Sequence, residues 1–410
     1  LTRRFLHATL LPAILGLTAC GGDDLIGEPA SGNQIDTGDT GTTGGTTGNI
    51  IPPIYTNVTL NSHIPDGMLV LEELFITESP SNEFLYVLST NAFVTQTIYR
   101  AEDIDQTMLD DTNYPLSTMA VSGNNNIMAH IYQGMNVIDI STGSKNKIAT
   151  GTPFGAVDNM TITDDGSQIA FIVNNDLTTE NPDNFYQIFT LTTDGSDAFT
   201  QVSSFTADYF TNASPTTVHA ISGDGNTIFF HSKDDILGSN ADGSDEIFSI
   251  SSDGTLTQLT NLDLTSTIIE METDSGGSYV AFLTSDSELY SVDTATKNPV
   301  LVDTLGKTVP LIIGPSIAQF DISTNGSVIY YATTTVPPDY PTMHEKVIYA
   351  VNPDGTNKNQ VFTTGPISYG SDIMSPQPSA DGSKVSFLSS FDFGLTVAGE
   401  NEIQVYTMTP

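Results

Sequence analysis

The sequence predicts an all-β protein, a β-propeller with seven four-stranded blades favoured over six or eight, closed by an N-terminal strand. Three observations predict it. A chain of 410 residues is longer than one ordinary core supports, so a repetitive closed fold or several domains is required. One unit of alternating apolar and polar residues broken by glycine turns recurs from about Leu74 to Pro410. No segment shows a competing helical period.

The first element is not part of the repeat. Arg3 and Arg4 precede an apolar run from Phe5 to Leu17, and LTAC ends at Cys20 ahead of Gly21 and Gly22. This pattern reads as a secretory signal over residues 1–19. The run is too short for a membrane span, which needs about 20 apolar residues. LTAC resembles the bacterial lipobox, which implies lipidation of Cys20 and a membrane attachment through that lipid. Gly21 stands where Asp would imply retention at the inner membrane, so the resemblance implies an outer-membrane lipoprotein facing the periplasm or the cell surface. As the one cysteine of the chain, Cys20 also excludes an intramolecular disulfide. Residues 20–50 follow as a Gly, Thr and Asp tether with almost nothing to bury, expected to be disordered.

Residues 51–410 are expected to form the propeller. The best copy of the unit is VHAISGDGNTIFFHS, Val218 to Ser232. Its companions are NMTITDDGSQIAFIV (159–173), EMETDSGGSYVAFLT (270–284), AQFDISTNGSVIYYAT (318–333) and QPSADGSKVSFLS (377–389). MAVSGNNNIMAHIY (119–132) and LFITESPSNEFLYVLS (74–89) are looser. Asp-Gly or Asn-Gly between such runs signals a tight hairpin, because the turn needs a positive φ that glycine supplies without strain. The turn glycines Gly166, Gly225, Gly277, Gly326 and Gly382 are spaced by 59, 52, 49 and 56 residues. A third strand follows each copy, as in YQIFTLTTDGS and DEIFSISSDGT, and LTQLTNL (256–262) or NPVLVDTL (298–305) supplies a fourth. The string S-x-D-G, strand, I-[FY] resembles the TolB-type propeller repeat, which implies this fold and a protein-binding role in the envelope. The seventh unit has three strands before Pro410, and IYTNVTLNS, Ile54 to Ser62, is expected to add the fourth.

The charge narrows the partners. Eleven basic residues against 49 acidic ones, a net charge of −38, would repel nucleic acid. NADGSDEIF, Asn240 to Phe248, is the one copy of the second-to-third-strand connection that concentrates ligand-type residues. Asn240, Asp242 and Asp245 form a calcium candidate, read against a plain turn with solvated carboxylates. The full spacing D-x-[DN]-x-[DN]-G with a Glu at the twelfth position is not met. Glu246 sits where other units carry Gln187, Lys346 and Glu402, so its charge is not expected to do chemistry.

No catalytic residue is assigned. A nucleophile elbow is absent, GPSIA at Gly314 to Ala318 lacking the second Gly. A histidine metal centre of the propeller-lyase kind would need His63, His130, His219 and His231 to converge, although His219 and His231 are expected to lie well apart. Phe229, Phe248, Tyr290 and Tyr330 read as core. In a four-stranded antiparallel unit the second-to-third connections share one face with the crossings between units. All the length variation falls there, so that face is expected to receive an envelope protein or peptide. A lyase or hydrolase acting on an extracellular polymer is the alternative.

Overall fold

The computed structural model describes residues 58–60, 69–70, 83–90, 95–102 and 105–112. From 119 onward it describes all but 125, 132–134, 150–156, 158–159, 208, 211–218, 263–264, 306–319, 337–343, 366–372, 391–392 and 394–403. The signal, Cys20, the tether and His63 lie outside the described residues.

The described strands form seven four-stranded sheets. Blade 1 comprises Leu69–Val70, Glu83–Thr90, Thr95–Glu102 and Asp105–Thr112, and blade 2 Met119–Val121, Ile127–Ile131, Met135–Asp139 and Ser144–Ile148. Blade 3 comprises Met160–Ile162, Gln168–Val173, Gln187–Thr192 and Phe199–Gln201, and blade 4 His219–Ile221, Thr227–Ser232, Glu246–Ser251 and Leu256–Gln258. Blade 5 comprises Ile268–Thr273, Tyr279–Thr284, Glu288–Asp293 and Asn298–Thr304, and blade 6 Phe320–Ile322, Ile329–Thr335, Glu345–Val351 and Asn359–Thr363. Blade 7 takes Ile373–Pro378, Val385–Ser389 and Gln404–Met408 from the C-terminal region and its outer strand, Val58–Leu60, from the N-terminal side. That strand runs antiparallel to the last one, with Val58 opposite Met408 and Leu60 opposite Tyr406. An unpaired edge at the end of the chain is thereby covered, as the sequence predicts.

In blade 1 the described strand that pairs with Glu83–Thr90 is Leu69–Val70, and the LFIT segment of the sequence reading falls outside the described residues. Residues 71–82 lie outside the described residues.

The unbroken apolar runs of the second strands follow from stacking between neighbours. Ile169, Phe171 and Val173 enter the core shared with blade 2, while Ala170 and Ile172 enter the core shared with blade 4. Side chains alternate across a strand, so a sheet covered on both faces needs apolar residues at every position. An aromatic pair stands directly opposite across the second and third strands in each of blades 3 to 7: Phe171 with Phe189, Phe230 with Phe248, Phe282 with Tyr290, Tyr331 with Tyr349, Phe387 with Tyr406. Their ring centroids lie 5.4 to 6.2 Å apart in near-parallel stacks. These pairs explain the aromatic positions of the repeat as packing.

The S-x-D-G string is a hydrogen-bonded device. Its first hydroxyl donates to the acidic or amide side chain two residues on, in Ser122 to Asn124, Thr163 to Asp165, Ser222 to Asp224, Ser323 to Asn325 and Ser379 to Asp381. The same hydroxyl accepts the backbone N–H five residues on, at the start of the second strand. The acidic or amide oxygen accepts the N–H two residues further along. Blade 5 substitutes Asp274, whose two oxygens accept Tyr279 N–H and Gly276 N–H. The fourth position holds φ between +62° and +74° at Gly166, Gly225, Gly277, Gly326 and Gly382, which is why glycine recurs there.

The second residue of each turn joins blade to blade. Asp164 N–H donates to Gly223 O, Gly223 N–H to Ser275 O, and Ser275 N–H to Thr324 O, at 2.8 to 3.0 Å. Asn124 N–H to Asp164 O and Asn325 N–H to Ala380 O extend the chain of bonds from blade 2 to blade 7.

Candidate binding face

The two faces of the disk have different chemistry. The face of S-x-D-G turns is closed by hydrogen bonds. Second-to-third-strand connections on the other face span residues 174–186, 233–245, 285–287, 336–344 and 390–403 in blades 3 to 7.

The connection 233–245 carries the sequence-predicted site, and its order comes from buried anchors. Asn240 is buried, donates its amide to Lys233 O and Ser244 O, and accepts the Ser244 hydroxyl at 3.2 Å. Its backbone N–H reaches Asp235 Oδ1 at 2.7 Å. Asp242 is exposed and accepts both the N–H and the hydroxyl of Ser244, which hold its carboxyl below the usual carboxylate range. Asp245 is fully buried, and it accepts His231 Nδ1 at 2.8 Å on Oδ1 and Ile268 N–H at 2.9 Å on Oδ2. It therefore ties the loop of blade 4 to the first strand of blade 5. The expectation of solvated carboxylates is corrected for Asp245: folding buries it, because a buried His231 and a backbone N–H wait for it.

Glu246, also buried, accepts Ser244 Oγ and Leu262 N–H on Oε1 and Thr260 Oγ1 on Oε2. Burial pushes its carboxyl up, and the three donors work against that shift. Gln187 does the same task in blade 3, accepting Ser203 Oγ and Phe205 N–H. A neutral amide replaces the carboxylate, so the role is to fix the segment leaving the fourth strand.

The histidines are directed apart. His219 stands opposite Phe230, so His231, one residue on, points to the other side of the sheet. The sequence expectation that they lie well apart fails in register, where they are diagonal neighbours, but holds for their side chains. His219 Nε2 meets Ala170 O of blade 3 at 3.1 Å, whereas His231 turns toward Asp245 and blade 5. His130 lies in blade 2, fully buried. Among the described residues no group of three or more His, Cys, Asp and Glu side chains is placed to hold a metal. A histidine metal centre does not fit these residues; the Ser244 hydroxyl lies between the Asn240 and Asp242 oxygens, and both Asp245 oxygens are taken by His231 and the Ile268 N–H.

Sequence reasoning missed the apolar side of this face. The exposed large hydrophobic residues among those described are Leu237, Ile269, Leu301 and Val336. Leu237 lies in the connection 233–245, Ile269 bulges out at the start of the first strand of blade 5, and Val336 follows the second strand of blade 6. Three of the four thus sit on the loop face of consecutive blades. Their signal in the sequence is weak, since each is a single apolar residue beside a strand end.

Sequence reasoning also missed a pair of acids on the innermost strands of blades 5 and 6. Burial pushes the Asp321 carboxyl up to about 7; the Ile322 N–H opposes the shift, and the neighbouring Glu270 carboxylate adds to it.

No family model matches the chain, and no curated protein matches it. Solved structures do. It is similar to an oligogalacturonate lyase from Vibrio parahaemolyticus at 11% identity and a TM-score of 0.55, over 87% of this chain and 96% of that one. An oligogalacturonate lyase in complex with manganese overlaps at 11% identity and a TM-score of 0.54, with the same coverage. TolB from Acinetobacter baumannii overlaps at 16% identity and a TM-score of 0.43; the overlap covers 70% of this chain and 64% of that one. The lyase overlaps show the β-propeller fold and nothing of substrate, and the TolB overlap adds no argument to them.

Proposed function

We propose that this chain is an envelope lipoprotein, lipidated at Cys20, tethered by residues 20–50 and exposed to the periplasm or the cell surface from the outer membrane. Its propeller is a non-enzymatic scaffold that binds a protein or peptide on the face of the long connections. The observation that carries the binding role is the row of exposed Leu237, Ile269 and Val336 on that face of blades 4 to 6. Exposed apolar groups rimmed by polar loop residues are what a partner covers. The connection 233–245 is held by Asn240, Asp245 and Glu246 before any partner arrives, which lowers the ordering cost of binding.

The test uses a soluble form lacking Cys20, cross-linked in native envelope extract beside the variant Leu237→Asp/Ile269→Asp/Val336→Asp. A partner captured in stoichiometric amount by the first and lost with the second supports the reading. Capture that ignores the triple change, or turnover of an extracellular polymer by the purified chain, overturns it in favour of a different surface or of the lyase or hydrolase alternative.

A further inference from the structure

The tight turn of blade 6 carries a chemistry that its counterparts in blades 3, 4, 5 and 7 lack. Its fourth position calls for glycine: Gly326 has φ +67°, and a Cβ there would stand 3.2 Å from the side chain of Asp274 in blade 5. The residue before the turn glycine is Asp165, Asp224, Gly276 and Asp381 in those four blades, and Asn325 in blade 6. Asn325–Gly326 is the one Asn-Gly step of the chain. Asparagine is a labile residue, and a following glycine leaves no side chain to shield the next backbone nitrogen from the carboxamide carbon. Asn325 is also exposed, whereas Asn181 and Asn240 are buried and the exposed Asn226 precedes the β-branched Thr227.

What the amide does in the fold decides what its loss would do. Asn325 Oδ1 accepts the Ser323 hydroxyl and the Ser327 N–H, two bonds of the kind that the carboxylates of Asp165, Asp224 and Asp381 accept in their own turns. An aspartate at 325 therefore fits the turn. Asn325 Nδ2 does what a carboxylate cannot: it donates to Asp381 O of blade 7 at 3.2 Å, beside the bond from Asn325 N–H to Ala380 O at 3.1 Å. With the amide gone, a carboxylate oxygen faces that carbonyl with no proton between them. Gly326 N–H donates to Ser323 O at 2.7 Å, so its nitrogen is withheld from reaction while the turn is closed and is released by local openings of this exposed turn.

We propose that Asn325 is a hydrolytic modification site, at which spontaneous deamidation converts the turn of blade 6 to its acid form and removes its side-chain tie to blade 7. The step needs only water. The Gly326 nitrogen gives its proton to hydroxide and its electron pair to Asn325 Cγ; the bond from Cγ to the side-chain nitrogen breaks, and that nitrogen takes a proton and leaves as ammonia. Water then opens the succinimide. Opening between Cγ and the ring nitrogen gives aspartate. Opening at the main-chain carbonyl of residue 325 gives isoaspartate, which adds Cβ to the backbone path and displaces the Ser327 and Val328 N–H groups from the partners they meet in the turn. The site lies in a tight turn, away from the face of the long connections, and does not depend on the binding role proposed above.

The test ages the soluble form lacking Cys20 in warm, mildly alkaline buffer. Beside it stand Asn325→Gln, whose longer side chain closes its ring far more slowly, and Asn325→Asp, the acid form made directly; a melt before ageing checks that each is folded. The parent is expected to gain one negative charge per chain on isoelectric focusing, with release of ammonia, and peptide mapping should place the change at Asn325 while Asn226 keeps its amide. Asn325→Gln should not gain that charge. Asn325→Asp should melt about 1–3 °C below the parent and exchange the backbone N–H of residue 325 severalfold faster. A first deamidation at another asparagine, or a charge gained by Asn325→Gln at the parent's rate, overturns the modification site. Asn325→Asp with the melt and exchange of the parent overturns the loosened tie between blades 6 and 7.

Discussion

Asp164 of blade 3 is hydrogen-bonded through Oδ2 to the hydroxyl of Ser275 in blade 5, passing over Gly223 of blade 4. The contact spans 111 residues of sequence and skips one blade. Gly223 has no need of a positive φ; it is glycine because a Cβ there would collide with the Asp164 carboxylate and the Ser275 hydroxyl at once. A Cβ at Gly123 of blade 2 would likewise collide with the other oxygen of the same carboxylate.

Gly223→Ala should therefore destabilise the propeller although alanine is ordinarily tolerated in such a turn. A loss of about 1–3 kcal/mol is expected from denaturant unfolding. Adding Asp164→Gly removes the colliding carboxylate, so the double variant should recover part of the loss. Equal or additive losses in a double-mutant cycle would show that the two residues do not communicate.

The turn acids give a pH signature. Ser383 and Ser379 hold the Asp381 carboxyl down at about 2, and the corresponding bonds lower Asp165 and Asp224. A carboxyl whose folded pKa is depressed stabilises the fold above its unfolded pKa of about 4 and loses that contribution as pH falls toward 2. These groups are exposed, so each effect is small. Asp381→Asn should keep most of the stability, since Asn124 and Asn325 do the same task natively, and should flatten the acid limb of the melt. Asp381→Ala should lower the melting temperature by about 1–3 °C.

Asp321 behaves oppositely. Its folded pKa, about 7, lies above the unfolded value, so the folded state keeps its proton while the unfolded state has lost it. Stability falls as pH rises from about 4 to 7, by at most about 1.4 kcal/mol per pH unit. Asp321→Asn should raise the melting temperature at pH 8 more than at pH 5. A variant whose melt tracks the parent across that range would exclude Asp321 as the titrating group.

The closing strand carries a simple expectation. Deleting Ile54–Leu60 uncovers Gln404–Met408 and removes Val58 from the core between blades 6 and 7. The melting temperature should fall by about 5 °C or more, with concentration-dependent aggregation through the bared edge. An unchanged scanning-calorimetry profile would count against ring closure as a source of stability.

Asp245→Ala strands a buried imidazole and the Ile268 N–H together. A destabilisation of about 2–4 kcal/mol in urea is expected, whereas Asp242→Ala, at an exposed carboxylate, should cost far less. Adding a chelator should leave the parent melt unchanged. A chelator-dependent drop would restore the calcium reading of Asn240, Asp242 and Asp245.

Much of the architecture was local and therefore legible. The S-x-D-G turn closes within six residues, the apolar runs encode a sheet covered on both faces, and the glycine spacing marks five of the seven units; none of these needs a distant contact. Even the closing strand could be placed, because an incomplete last unit and a lone early strand imply each other. The site was another matter. Whether Asp245 is solvated or buried depends on His231 and Ile268, which belong to other strands, and one of them to another blade. Leu237, Ile269 and Val336 are left exposed on one face by three different blades, and the reach of Asp164 over Gly223 likewise needs three blades side by side. Sequence alone determined the repeat, since it is built from bonds between near neighbours. Only the tertiary structure decided which side chains are buried, which are bare and which meet across blades, because those contacts are made by the ring.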